Sequence, residues 1–105
     1  MLVQINTDRN IEGSTEMIEH FTALLKERLG RFEENITRLE VHLSDENAAR
    51  DAGDDKKCVL EVRLKGKDPV VISTLESTIH KSVKSAADKM FLTLEKQLRK
   101  SRVQG

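Results

Sequence analysis

The N-terminal third of the chain combines a short apolar stretch with a helical repeat. Leu2 to Ile5 predicts a strand that ends in the turn-prone residues after it. Ser14 is the expected N-cap of a helix, because its hydroxyl can accept a hydrogen bond from a free backbone N–H. Apolar residues then recur every three or four positions, which indicates one buried helix face. They are Met17, Ile18, Phe21, Leu24, Leu25, Leu29 and Phe32.

In the middle of the chain the apolar residues alternate with polar ones, as half-buried strands require. One such run is Leu39 to Leu43, and a second is Cys58 to Leu64. Residues 44–55 between them contain charged and small residues without a large apolar one, and we expect a mobile loop there. A turn at residues 66–69 precedes a further strand, Val70 to Leu75, which predicts an antiparallel hairpin.

From about Glu76 the helical period returns and continues to the end of the sequence. The predicted order is therefore β-α-β-β-β-α, an α+β fold in one domain covering residues 1–105. Because each helix has one apolar face, we expect both helices to cover one face of a four-stranded sheet and to leave the other face open. The apolar positions of the last helix are Ile79, Val83, Ala86, Ala87, Met90, Phe91, Leu94 and Leu98.

Cysteine usage and hydropathy indicate a cytoplasmic protein. The chain has 105 residues and a single cysteine, Cys58, which cannot form an intramolecular disulfide. No signal-like stretch opens the sequence, and no apolar run approaches the roughly 20 residues that cross a bilayer. Cys58 lies in phase with Leu60 and Val62, so we expect a buried structural thiol.

Charge is distributed unevenly although the net charge is zero. Residues 1–55 contain 6 basic and 13 acidic side chains, a net of −7. Residues 56–79 contain 5 and 3, a net of +2, and residues 80–105 contain 7 and 2, a net of +5. This asymmetry favours a polyanionic partner that meets one face, although a solvated surface would have the same composition.

The motifs of catalysis and cofactor binding are missing from the sequence. There is no glycine-rich phosphate loop and no Cys/His cluster, and His20, His42 and His80 have no metal-ligand spacing. We therefore expect no enzyme activity, no cofactor, no metal and no small-molecule substrate.

Basic residues of the last helix and of the hairpin are the candidate RNA-binding positions, because cations on rigid elements can meet phosphates at fixed spacing. The three aromatic residues all fall on predicted buried faces, which disfavours base stacking and favours recognition of folded RNA by shape and phosphate. The candidates are Lys81, Lys84, Lys89, Lys96, Arg99, Lys100 and Arg102 on the helix, and Lys56, Lys57, Arg63 and Lys65 on the hairpin.

The whole chain resembles the ribosome hibernation promoting factor and ribosome-associated inhibitor family. The resemblance rests on the element order, on the strand pair LEVHLSDE and KKCVLEVRL, and on the ending SAADKMFLTLEKQLRKSR. Basic positions coincide best at Lys89, Lys96, Arg99 and Lys100. The sequence departs from the family at Ser82 and Lys84, where an Asp and a Tyr are usual.

The resemblance implies a double-stranded-RNA-binding-domain-like fold and binding to the small ribosomal subunit across its tRNA and mRNA sites. Such a protein inhibits translation by occupancy in stressed or stationary cells. The sequence ends just after the last helix, so the similarity is to short members that lack the C-terminal domain by which long members pair ribosomes, and a monomer is expected. Two other functions stay open at this point: a double-stranded-RNA-binding domain acting off the ribosome, and an interaction module that uses the acidic N-terminal half.

Overall fold

The predicted element order is confirmed by the computed structural model of the protein. Residues 1–46 and 53–104 are described, with the backbone alone for 100–104. The strands are β1 (Leu2–Thr7), β2 (Ile36–Asp45), β3 (Lys56–Leu64) and β4 (Val70–Glu76). The helices are α1 (Thr15–Leu29) and α2 (Ile79–Gln104), and a 3₁₀ turn (Gly30–Phe32) follows α1.

The four strands form one mixed sheet in the order β1-β2-β3-β4. β1 runs parallel to β2, whereas β2, β3 and β4 are antiparallel neighbours. A parallel pair needs a crossover connection, and α1 supplies it between β1 and β2.

The core lies between the two helices and one face of the sheet. Leu39, Val41 and Leu60 are fully buried on the strands, and Leu25 and Leu94 are fully buried on the helices. The opposite sheet face contains mostly polar or charged residues that are exposed or half-buried. Two helices on one sheet face, with the other face open, is the predicted architecture.

Strand β2 begins earlier than the alternation of its apolar residues predicts. Ile36 and Leu39 are both buried although three positions separate them, because the register with β3 shifts between Ile36 and Arg38. This irregularity adds one residue to the strand and breaks the period of two. The predicted boundary at Leu39 was therefore wrong by three residues.

The segment predicted as a loop from Ser44 to Asp55 is structured at both described ends. Ser44 and Asp45 belong to β2, and the Glu46 backbone N–H donates to the Asp55 carbonyl at 2.8 Å. Asp55 itself is only 6% exposed. The predicted mobility was therefore wrong for these flanks, and residues 47–52 lie outside the described residues.

Helix boundaries follow local capping rather than the apolar period. The Ser14 hydroxyl accepts from Met17 N at 3.1 Å, which confirms the predicted cap of α1. Glu76, the predicted start of the last helix, is the final residue of β4. The Thr78 hydroxyl accepts from Lys81 N at 3.1 Å and caps α2 one residue before Ile79. Neither helix, within the described ranges, is long and apolar enough to cross a bilayer.

Candidate RNA-binding surface

Five basic side chains of α2 lie on the side of the helix that faces away from the core. Helical spacing places four of them opposite the buried stripe that includes Val83, Met90 and Leu94, and places Lys84 on the flank nearest α1; all five are exposed. At 1.5 Å per residue, the first and last of them are about 27 Å apart along the helix axis. We call this surface the basic face; its residues are Lys81, Lys84, Lys89, Lys96 and Arg99.

The two acidic residues of α2 are neutralised by arginines from the neighbouring segment. Arg28 Nε lies 2.7 Å from Asp88 Oδ1, and Arg31 Nη1 lies 2.9 Å from Glu95 Oε2. The Arg28 guanidinium also stacks over the Phe91 ring, 4.3 Å from its centroid. Because Asp88 and Glu95 are each paired with an arginine from outside α2, these two carboxylates lower the positive potential of the basic face less than two unpaired carboxylates would.

The four lysines of the basic face have no carboxylate partner among the described residues. Lys84, Lys89 and Lys96 are exposed and make no ion pair within 4.0 Å there. Arg99 differs, because its Nη2 lies 3.4 Å from Glu95 Oε1. Lys81 donates a hydrogen bond to the Ser77 hydroxyl at 3.3 Å, so the other three are the described lysines of α2 that are most available to an external anion.

The hairpin candidates behave differently, because most of their charge is matched within the sheet. Lys56 Nζ lies 2.7 Å from Asp55 Oδ1, and Lys57 Nζ lies 3.5 Å from Glu46 Oε1. Arg63 Nε lies 2.9 Å from a carboxylate oxygen of Glu61 on the same strand. Lys65 is the exception, since it is exposed and has no ion pair with a described residue.

Lys56 is held at the start of β3, an inner strand of the sheet. Its pKa is raised above 10.5, first by the hydrogen bond to the Asp55 carboxylate and further by Asp45, whose Oδ2 lies 3.4 Å away. The Ser82 hydroxyl, fully buried on α2, donates to the Lys56 carbonyl. Ser82, one of the two departures from the family pattern, therefore ties α2 to β3, whereas Lys84, the other departure, is exposed on the basic face.

A cationic recess lies beside the C-terminal half of the basic face. It has a volume of about 340 Å³ and brings Arg31, Lys67 and Arg99 together around Glu95. The sequence-based candidates included Arg99 but missed Arg31, because a role for Arg31 depends on the contact between α2 and the turn after α1. Its position one turn after Arg28 was the only available sequence signal. Lys100 and Arg102 lie in the last turns of α2, and their side chains are outside the described residues.

The histidines, which the sequence spacing left unconnected, include one close pair. His20 Nε2 on α1 lies 3.4 Å from His80 Nδ1 on α2. His42 is exposed on the open sheet face. No group of three or more His, Cys, Asp or Glu side chains is arranged to hold a metal ion in the part of the chain that is described.

The protein is a small α+β domain in which two helices cover one face of a sheet and the outer side of α2 is basic. Its sequence matches one known family over nearly the whole chain. Residues 4–104 match the family described as sigma 54 modulation protein / S30EA ribosomal protein. The protein belongs to that family, which confirms its resemblance to the ribosome hibernation factors.

Solved structures show the same fold at low sequence identity. The N-terminal domain of Protein Y from Thermus thermophilus has a TM-score of 0.73 and 20% identity, over 91% of this chain and 98% of that one. A ribosomal subunit interface protein from Coxiella burnetii has a TM-score of 0.71 and 17% identity, over 94% and 99%. Comparison with curated protein sequences gave no match.

Proposed function

We propose that the protein binds the small ribosomal subunit in the cytoplasm and modulates translation by occupancy, without turnover. Membership of the S30EA ribosomal protein family supports a ribosomal site of action. The observation that carries the proposed contact is the row of exposed lysines on α2 that have no carboxylate partner in the described part of the chain, since phosphate contacts dominate the affinity of nucleic-acid binding.

The basic face is the proposed primary contact with ribosomal RNA. A rigid helix holds its cations at fixed positions along about 27 Å of its axis, and this fixed spacing suits a phosphate backbone of defined shape. The hairpin cations Lys56, Lys57 and Arg63 are proposed as secondary contacts, because each would have to leave a carboxylate to reach a phosphate. Lys65 is the hairpin cation best placed to assist.

The test is co-sedimentation of the protein with small subunits across a salt series. The variant K84E/K89E/K96E should bind on the order of tenfold or more weakly, and its affinity should depend less steeply on salt because fewer counterions are released. The matched control K84R/K89R/K96R keeps the charges and should bind like the wild type. Circular dichroism melts should show all three proteins folded, because exposed positions tolerate substitution within about ±0.5 kcal/mol each.

A second charge reversal, K57E/R63E/K65E, separates the two candidate surfaces. We expect a smaller loss than with the α2 variant, because two of these three cations are already ion-paired in the free protein. If the α2 variant binds as tightly as the wild type with the same salt slope, the basic face is not the contact. If neither variant binds less tightly, the proposed RNA contact is wrong.

A further inference from the structure

The close pair of histidines between the two helices has a nitrogen separation that matches that of a metal chelate. His20 comes from α1 and His80 from the first turn of α2, sixty positions later in the sequence. Their facing nitrogens, Nε2 and Nδ1, are 3.4 Å apart. A tetrahedral ion with two Zn–N bonds of about 2.0–2.1 Å holds its nitrogens about 3.3–3.4 Å apart.

The rings approach through their nitrogen-bearing edges and not through their faces. Their centroids are 5.4 Å apart, well beyond the separation of the two nitrogens, and their planes are inclined by 30°. The buried Phe21 ring supports both imidazoles, with centroid distances of 5.2 Å to His20 and 6.1 Å to His80. The two nitrogens are therefore held together by packing as well as by their mutual contact.

We propose that His20 and His80 form a two-histidine Zn²⁺ site that links α1 to α2. Imidazole nitrogen is a preferred zinc ligand, and both side chains are exposed, so an ion can reach them from solvent. No third protein ligand is arranged beside them among the described residues, so water occupies the remaining coordination positions. The inference does not depend on ribosome binding.

Few other groups in the chain compete for zinc. The sequence contains three histidines and one cysteine, and Cys58 is 1% exposed in the core. His42 lies on the open sheet face, away from the helices, and is the matched control. A chain with a single exposed histidine pair makes the assignment of a binding site direct.

The site is tested by titrating the tag-free protein with zinc chloride by isothermal calorimetry at neutral pH. The wild type and H42Q should bind one Zn²⁺ per chain with equal affinity. H20Q and H80Q should each bind Zn²⁺ at least roughly 10–100-fold more weakly than the wild type. Mutation of a residue that only supports a metal ligand already costs that much affinity, and these substitutions remove a ligand itself. Equal binding by all four proteins, or no binding by the wild type, overturns the proposal.

Thermal melts supply a second readout that a plain hydrogen bond between the rings would not produce. An ion that binds the folded state but not the unfolded state raises the melting temperature, and the rise grows with the concentration of the ion. In the unfolded chain the two histidines are sixty residues apart, so zinc should raise the melting temperature of the wild type and H42Q and leave that of H20Q and H80Q unchanged. A zinc-dependent rise that persists in H20Q and H80Q contradicts the site.

Discussion

Cys58 lies on β3 among core side chains, and burial raises the pKa of its thiol to about 12. The thiolate is the reactive form, so the native protein should react slowly with a thiol reagent at pH 8, whereas the protein in denaturant should react fast. The check is the rate of labelling with and without denaturant. Fast native labelling would contradict the inward phase of the whole strand.

The same pKa makes stability depend on pH above 9. The folded protein keeps the thiol proton between the ordinary value of 9.0 and about 12, whereas the unfolded chain releases it. The unfolded state therefore binds fewer protons in this range, and the free energy of unfolding falls as the pH rises. Melts of the wild type and C58A from pH 8 to 11 should show a steeper decline for the wild type; parallel curves would exclude a contribution from the thiol.

Asp55 and Lys56 form a second feature at the scale of the residue, an ion pair at the start of the inner strand β3. Asp55 is 6% exposed, and its Oδ2 has no partner among the described protein atoms, so Lys56 supplies its main compensation. Lys56→Met should lower the melting temperature by several degrees, because it leaves a buried carboxylate unpaired. The double variant K56M/D55N should recover part of that loss, and a single variant as stable as the wild type would show that the pair is dispensable.

At the scale of the element, α2 offers a buried and an exposed leucine only two positions apart. Leu94 is 0% exposed and Leu92 is 64% exposed. Leu94→Ala should therefore reduce the free energy of unfolding by about 2–5 kcal/mol, whereas Leu92→Ala should stay within about ±0.5 kcal/mol. Leu98 is only half-buried, so its truncation should cost less than that of Leu94. Urea unfolding measures all three, and equal losses at Leu92 and Leu94 would contradict the helix orientation.

The connection between β2 and β3 contains a part that we expect to be replaceable and a part that we expect to stabilise the fold. Residues 47–54 connect Glu46 to Asp55, two residues that are joined by a backbone hydrogen bond. Their sequence contains no large apolar side chain. Replacing 47–54 by a short Gly/Ser link should leave the melting temperature within a few degrees, because loop closure costs only about 0.6 kcal/mol per doubling of length. Extending the replacement through Asp55 should lower it further. A large drop with the shorter replacement would show that residues 47–54 stabilise the fold.

For the whole molecule, the apolar pattern predicted the architecture because burial in a two-layer domain obeys the periods of helices and strands. Cys58, Leu60 and Val62 on β3 are all buried as predicted. The burial of Asp55 could not be predicted, because it depends on the ion pair with Lys56 and on the pairing of β2 with β3. Patterns within one element carry no information about such a tertiary contact.

The sequence predicted the positions of the candidate RNA-binding lysines but not which of them lack an ion pair in the folded protein. The lysines of α2 follow from helical spacing, and the structure places the described ones on the exposed side. Their availability could not be predicted, because it depends on Arg28 and Arg31 reaching Asp88 and Glu95 across sixty or more residues of sequence. The meeting of His20 with His80 has the same origin.

The parallel placement of β1 has a consequence for the order in which the protein assembles. Every residue of β1 pairs with a residue 36 positions later, whereas β3 and β4 pair across as few as 8 positions. Contacts between distant residues form later, because closing the longer loop costs more entropy. We therefore expect the antiparallel strands with α2 to form the folding nucleus and β1 to join last, so mutations in β1 should mainly accelerate unfolding. Stopped-flow measurements on V3A and V62A would give a low φ-value for the first and a high one for the second.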